Sequence, residues 1–164
     1  MIDAKTRAKL AEFGSELLYK TSLAEGLPLI STYVKEIIGA DRCSIFIYNP
    51  ETNEFWTTLA DGVERIVMPA ERGIVGETLR SKKATFENDV HSNPYFMGEL
   101  DKKTGYTTKS VITAPIFNYK KEVGGVLELL NKEGGFKEDD LKYMKFFAQY
   151  ISEFLELIKQ FKND

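Results

Sequence analysis

Gly124-Gly125-Val126-Leu127-Glu128-Leu129-Leu130-Asn131-Lys132-Glu133-Gly134-Gly135-Phe136-Lys137-Glu138-Asp139-Asp140 decides how the rest of the chain is read. Val126 to Leu130 is a run of branched and apolar residues entered through a glycine pair, the pattern of a buried strand. Glu128 interrupts it. In a strand its side chain shares a face with Val126 and Leu130. A lone carboxylate is costly to bury, so this position calls for a partner, an opening to water or a ligand. The second half, from Asn131 and Lys132 through Phe136 to Asp140, is a polar turn leading into a helix. The two halves are expected to form the back wall and the clasp of a small-molecule pocket.

Downstream of the clasp, Asp139 or Asp140 is expected to cap a long final helix. Met144, Phe147, Ile151, Phe154, Ile158 and Phe161 follow at spacings of 3, 4, 3, 4 and 3, a heptad-like seam. It could pack on its own sheet, which suits its first half. For its last turns a dimer seam, shared with the first helix, is the expectation.

Upstream, Leu10, Phe13, Leu17 and Leu18 have helical spacing, which predicts an amphipathic helix from Lys5 to Tyr19. Thr21-Ser22 with Glu25 reads as a capping box for a second helix that ends at Gly39 and is kinked or restarted at Pro28. Cys43 to Tyr48 is a central strand, apolar on both faces. Glu54 to Ala60 runs back from the Asn49–Asn53 turn, and Asp61-Gly62 turns the chain into a third strand over Arg65 to Met68. Gly73 to Arg80 reads as a glycine-led short helix and Ala84 to Glu87 as a brief edge strand. The polar segment from Asn88 to Lys109 is long for a connection in a compact domain, which marks it as functional. Ser110 to Ile116 and Val123 to Leu130 are the last strands, joined by a hairpin at Tyr119–Glu122. Helices at both ends with hairpin-linked strands between them indicate an α+β layer, an antiparallel sheet with helices packed on it.

The 164 residues correspond to one domain with a real core. Net charge is only −3, without a basic block or an Arg-rich stripe, which argues against nucleic acid as the main partner. The single cysteine excludes an internal disulfide. With no apolar run of about 18 residues and no signal peptide, a cytoplasmic location and no direct membrane insertion are expected.

Arg42-Cys43-Ser44-Ile45-Phe46, Pro69 to Gly76, the Thr104-Gly105 loop and Gly125 to Lys132 together resemble the GAF domain. The similarity runs from about Leu23 to Leu157 and is closest to the cyclic-nucleotide-binding GAF domains of phosphodiesterases and adenylyl cyclases. Those carry an Asn-Lys, gap, Phe, three residues, Asp-Glu signature. Here it is Asn131-Lys132, Phe136 and Asp140, with Leu141 in place of the final Glu. The resemblance implies an α+β, GAF/PAS-like antiparallel sheet of about six strands. Terminal helices would pack on one face, and a ligand pocket would lie under short helices and loops on the other. Residues 1–22 would be a linking or dimerising helix, 23–157 the domain, and 158–164 the start of a connection to an effector domain.

The resemblance also implies a site and a function. Ser44 would address a purine, and Ala60 and Asp61 would meet its edge. Ile74 and Val75 would offer backbone N–H groups to a cyclic phosphate at a helix N-terminus. Phe96, Met97, Asp101, Thr104 and Thr108 would belong to a lid, and Glu128 would sit at the purine. Asn131, Lys132, Phe136 and Asp140 would form a structural clasp, with Lys132 and Asp140 paired. The implied function is a regulatory domain that binds cAMP or cGMP without a metal and signals through its terminal helices, as a homodimer, to a linked effector. The alternative is a GAF domain that binds another small molecule, or serves as a spacer without ligand. Each site residue also has a plainer role. Ser44 suits a crowded strand, Asp61-Gly62 a hairpin, Gly73 to Gly76 a helix start, and Thr104 and Thr108 loop turns. Catalysis has little support: His91 reads as a loop residue, Cys43 as buried, and no metal-ligand spacing, phosphate loop or nucleophile elbow is present.

Overall fold

The computed structural model describes residues 3–60 and 66–163. Helices α1 (Ala4–Leu17) and α2 (Leu23–Ile38) precede strands β1 (Ala40–Asn49), β2 (Glu54–Ala60) and β3 (Val67–Pro69). Helix α3 (Gly73–Ser81) and strand β4 (Thr85–Glu87) follow, then a 3-10 turn at Val90–Ser92 and helix α4 (Glu99–Thr104). Strands β5 (Val111–Phe117) and β6 (Val123–Lys132) lead into α5 (Glu138–Asn163). The strands form one antiparallel sheet in the order β3-β2-β1-β6-β5-β4. The α+β architecture is as the sequence indicates.

Strand alternation distributes the two cores. Cys43 and Ile45 of β1, Ile112, Ala114 and Ile116 of β5, and Leu127 and Leu129 of β6 face α1, α2 and α5. Phe46, Phe55 and Val126 face the other way, onto Ala70 and Val75 beside α3. The central strands are therefore apolar on both sides, and the second side carries the short helices.

The helix layer departs from expectation in four places. Helix α1 ends at Leu17, and Leu18 and Tyr19 stand 79% and 81% exposed instead of completing its apolar face. Helix α2 runs unbroken through Pro28, its start fixed by Ser22, which accepts a bond from the Glu25 N–H. Leu27 and Ile30 on either side of the proline are fully buried, so packing holds the turn that lacks a backbone donor. Helix α5 begins at Glu138, so neither Asp139 nor Asp140 precedes it as a cap. Asp140 instead reaches back one turn to the Lys137 N–H at 2.8 Å, the acidic half of a capping box.

The fourth departure concerns the heptad seam. Met144, Phe147, Ile151, Phe154 and Ile158 are all buried within this one chain, against the sheet, α1 and α2. Phe13 of α1 packs its ring on both Phe147 and Tyr150. Gly26 of α2 lies so close to α5 that a Cβ there would stand 2.1 Å from the Phe154 ring. The seam continues beyond the sheet because α1 and α2 supply the covering surface. The seam residues from Met144 to Ile158 are thus unavailable to a dimer partner, and the side chain of Phe161 lies outside the described ones.

Candidate functional site

On the face opposite α5 the sheet floors a cavity of about 300 Å³. Phe46 of β1, Glu128 and Leu130 of β6 and Val111 of β5 form the floor; Met68 of β3 and neighbouring Ile66 form one side. Arg72, Gly73, Ile74 and Val75 at the start of α3 form the rim, and Phe96, Met97, Asp101 and Thr108 lie across the top. Apolar side chains dominate, as suits a pocket for a largely flat or apolar ligand with a few polar anchors.

Register explains the isolation of Glu128. Its cross-strand neighbours are Ser44 on β1 and Thr113 on β5. Thr113 is committed elsewhere: its hydroxyl lies 2.6 Å from the Thr78 hydroxyl, which donates to the Ile74 carbonyl. Among the described residues no hydrogen-bond or ion-pair partner meets the Glu128 carboxylate, and Lys109 is not one. The side chain keeps solvent contact only as a wall of the cavity, with protein packed on its other sides. That burial, helped by the negative charge of Asp101, raises its pKa from 4.5 to about 7.

The α3 rim is shaped by backbone. Gly73 adopts φ +73°, a left-handed turn into the helix that other residues rarely take. A Cβ on Gly76 would stand 2.5 Å from the Ala70 carbonyl oxygen, so only glycine lets α3 approach the preceding turn. Ile74 and Val75 occupy the first turn, where N–H groups have no carbonyl within the helix to bond.

The segment expected as one long irregular loop contains the 3-10 turn and α4, and its closure is internal. Asp101 accepts from the Thr108 N–H at 2.6 Å and from its hydroxyl at 2.8 Å. Asn131, at φ +60°, ties the end of this segment to β6. Its Oδ1 accepts from the Lys109 and Ser110 N–H groups, and its Nδ2 donates to the Thr107 carbonyl and the Tyr106 hydroxyl. Tyr106 in turn donates to Asp41 at 2.6 Å and lies under the Arg42 guanidinium, 3.6 Å from the ring centroid. Lys132 bonds both oxygens of the buried Asp140 at 2.9 and 2.8 Å. Phe136 is buried and exchanges two backbone bonds with the Asn88 amide.

Of the residues expected at a ligand, the cavity brings together Ile74, Val75, Phe96, Met97, Asp101, Thr108 and Glu128. Ser44 is on the same sheet face but does not line the cavity. Thr104 is exposed at the end of α4, its hydroxyl accepting from the Tyr106 N–H, so it too stands outside. Ala60 ends β2 in register with Ser44, and Asp61 lies outside the described residues. Arg72, Tyr106 and Asn88 were not anticipated; a tyrosine beside Thr104-Gly105 carried no pattern that linked it to Asp41 or Asn131. His91 is exposed and packs edge-on against Phe96, and Cys43 is fully buried. No group of three or more metal-ligating side chains occurs among the described residues, and none of their helices is long and apolar enough to cross a membrane.

The sequence model of the GAF domain matches residues 22–155. The chain belongs to the GAF domain family. This is a family of regulatory small-molecule-binding domains, and the cavity lies within the matched segment. A cGMP-specific 3',5'-cyclic phosphodiesterase of Drosophila mojavensis is 30% identical over 129 residues, which cover 69% of this chain and 12% of that protein. The cone cGMP-specific 3',5'-cyclic phosphodiesterase subunit alpha' of Gallus gallus is 33% identical over 136 residues, covering 73% of this chain and 16% of that one. This GAF domain therefore spans a small part of its curated relatives. The GAF domain of a phosphoenolpyruvate-protein phosphotransferase from Coxiella burnetii superposes with a TM-score of 0.85 over 97% of both chains at 16% identity, a likeness of fold.

Proposed function

We propose that this GAF domain binds a cyclic nucleotide, cAMP or cGMP, and passes the bound state through its terminal helices to a linked effector. The cavity carries this reading: about 300 Å³, apolar walls, a carboxylate on its floor without a partner among the described residues, and the first turn of α3 at its rim. The base would lie on Phe46 and Leu130 with an N–H edge toward Glu128, and the cyclic phosphate would meet the Ile74 and Val75 N–H groups. Phe96 and Met97 would close over it. The relatives named for cGMP-specific phosphodiesterases support this ligand class and the linked effector. The domain itself would act as a sensor and not as an enzyme, without a metal. A homodimer remains part of the proposal, through surfaces of the terminal helices other than the buried seam.

A second reading, a different small molecule or a spacer role, is favoured by one observation: Asp101 and Thr108 already satisfy each other. Amide chemical-shift mapping separates the two. With cAMP or cGMP, saturable shifts are expected at Ile74, Val75, Asp101, Thr108 and Glu128. An unchanged spectrum with both nucleotides at millimolar concentration overturns the cyclic-nucleotide reading.

A further inference from the structure

Two acidic side chains border this one cavity from opposite sides. Glu128 rises from β6 with no partner among the described residues, and Asp101 faces the same space from α4, held by two donors from Thr108. The remaining charged group among the described lining residues is Arg72, at the start of α3. The other lining side chains of β1, β3, β5 and the segment before α4 are Phe46, Ile66, Met68, Val111, Phe96 and Met97, all without charge. Asp61, Glu64 and Arg65 lie outside the described residues.

Two carboxylates that both ionise against the apolar walls of one cavity repel each other across it. One of the pair sits on a central strand, paired on both sides, and cannot retreat. The other is on α4, a six-residue helix that makes no extensive contact with another element among the described residues. Charge repulsion therefore bears on the less firmly packed of the two elements, which is held at Asp101 by the two Thr108 bonds.

We propose that a single proton on Glu128 gates this cavity: with the proton in place α4 lies closed over the sheet, and its loss drives α4 away and opens the entrance. The transfer is to bulk water, so nothing else is consumed. Burial places the titration of Glu128 near neutral pH, which gives the gate a working range. A ligand N–H edge that donates to the Glu128 carboxylate would stabilise its charge and separate it from Asp101, letting α4 close again over the bound molecule. The gate acts on the empty protein, so it stands or falls independently of which ligand binds.

The test uses the ligand-free protein. The Glu128 side-chain carboxyl is followed by carbon-13 NMR from pH 5 to 9, together with the backbone amides of α4 and Thr108. The expected result is one shared midpoint near 7 for the carboxyl and for the Asp101–Thr108 amides. Glu128→Gln should hold the α4 amides at their low-pH positions throughout. Asp101→Asn should lower the Glu128 midpoint while leaving it above the ordinary value, because burial persists. A Glu128 midpoint near 4.5 overturns the gate, as does a midpoint near 7 with α4 amides that do not follow it. Binding of cGMP, added afterwards at pH 6 and pH 8, reports on the ligand separately.

Discussion

Glu128 concentrates the physics of the site in one side chain. Its pKa is raised from 4.5 to about 7, so the folded chain holds this proton more tightly than the unfolded chain does. The associated stability is fully present below 4.5 and is lost as pH rises through 7, where the folded protein gives up this proton. Over that window the loss is roughly 3 kcal/mol. Chemical denaturation of the wild type and Glu128→Gln at several pH values checks this. The wild type should lose stability from pH 5 to 8, and the variant should lack that component. Lys132 is the opposite case, a half-buried charge with an excellent buried partner. Lys132→Met would strand Asp140, 6% exposed, with only the Lys137 N–H, and should cost about 3 kcal/mol. A denaturation midpoint equal to that of the wild type would show the pair to be energetically idle. At this scale the sequence was informative where chemistry conflicted with pattern. A carboxylate inside an apolar strand announces itself, and the Lys132–Asp140 pair followed from the family signature. The hydroxyl of Tyr106 and the amide of Asn88 gave no such signal, because their partners lie 65 and 48 residues away in sequence.

Elements were legible to the extent that their periodicity was strong. Strands β1, β5 and β6 and helix α5 stand out through apolar runs and spacing. Helix α4 does not, since Glu-Leu-Asp-Lys-Lys-Thr has a single apolar residue and no face. Pro28 misled because propensity is local, while the packing of Leu27 and Ile30 is not. The close approach of α2 to α5 at Gly26 was equally hidden, as a glycine within a helix says nothing of what crosses it. It makes a sharp prediction: Gly26→Ala would force the buried Phe154 ring aside and should cost about 1–3 kcal/mol, despite the better helix propensity of alanine. Thermal unfolding of the variant checks the sign; stabilisation would contradict this packing. At the other sheet face, Thr104→Ala should leave nucleotide affinity unchanged, because Thr104 is exposed outside the cavity. Thr108→Ala removes one of the two bonds that hold Asp101 and should weaken binding several-fold. Equal losses for both would place the ligand on the outer side of α4.

The whole molecule is a sheet between two unlike layers. One layer is a thick helical core in which the α5 seam is consumed from Met144 to Ile158; Phe154→Ala there should cost about 3–5 kcal/mol. The other layer is thin, built from α3, α4 and their connections around the cavity. Asn131 to Asp140 joins the two. Asn131 secures the segment that follows α4, Lys132 and Asp140 secure the start of α5, and Glu128 is only three residues before them. A change at the cavity floor or in α4 thus has a short covalent route to the long terminal helix. Fold and family were legible from the sequence, whereas the division of the expected ligand set between cavity and surface required the register of β1 and β6 and the internal Asp101–Thr108 closure. The measurement that tests the central claim most directly is isothermal calorimetry with cAMP and cGMP, on the wild type and Glu128→Ala. A saturable one-to-one heat with at least one nucleotide, and affinity about tenfold weaker in the variant, is predicted. No heat with either nucleotide at millimolar concentration, or full affinity in Glu128→Ala, would contradict the account.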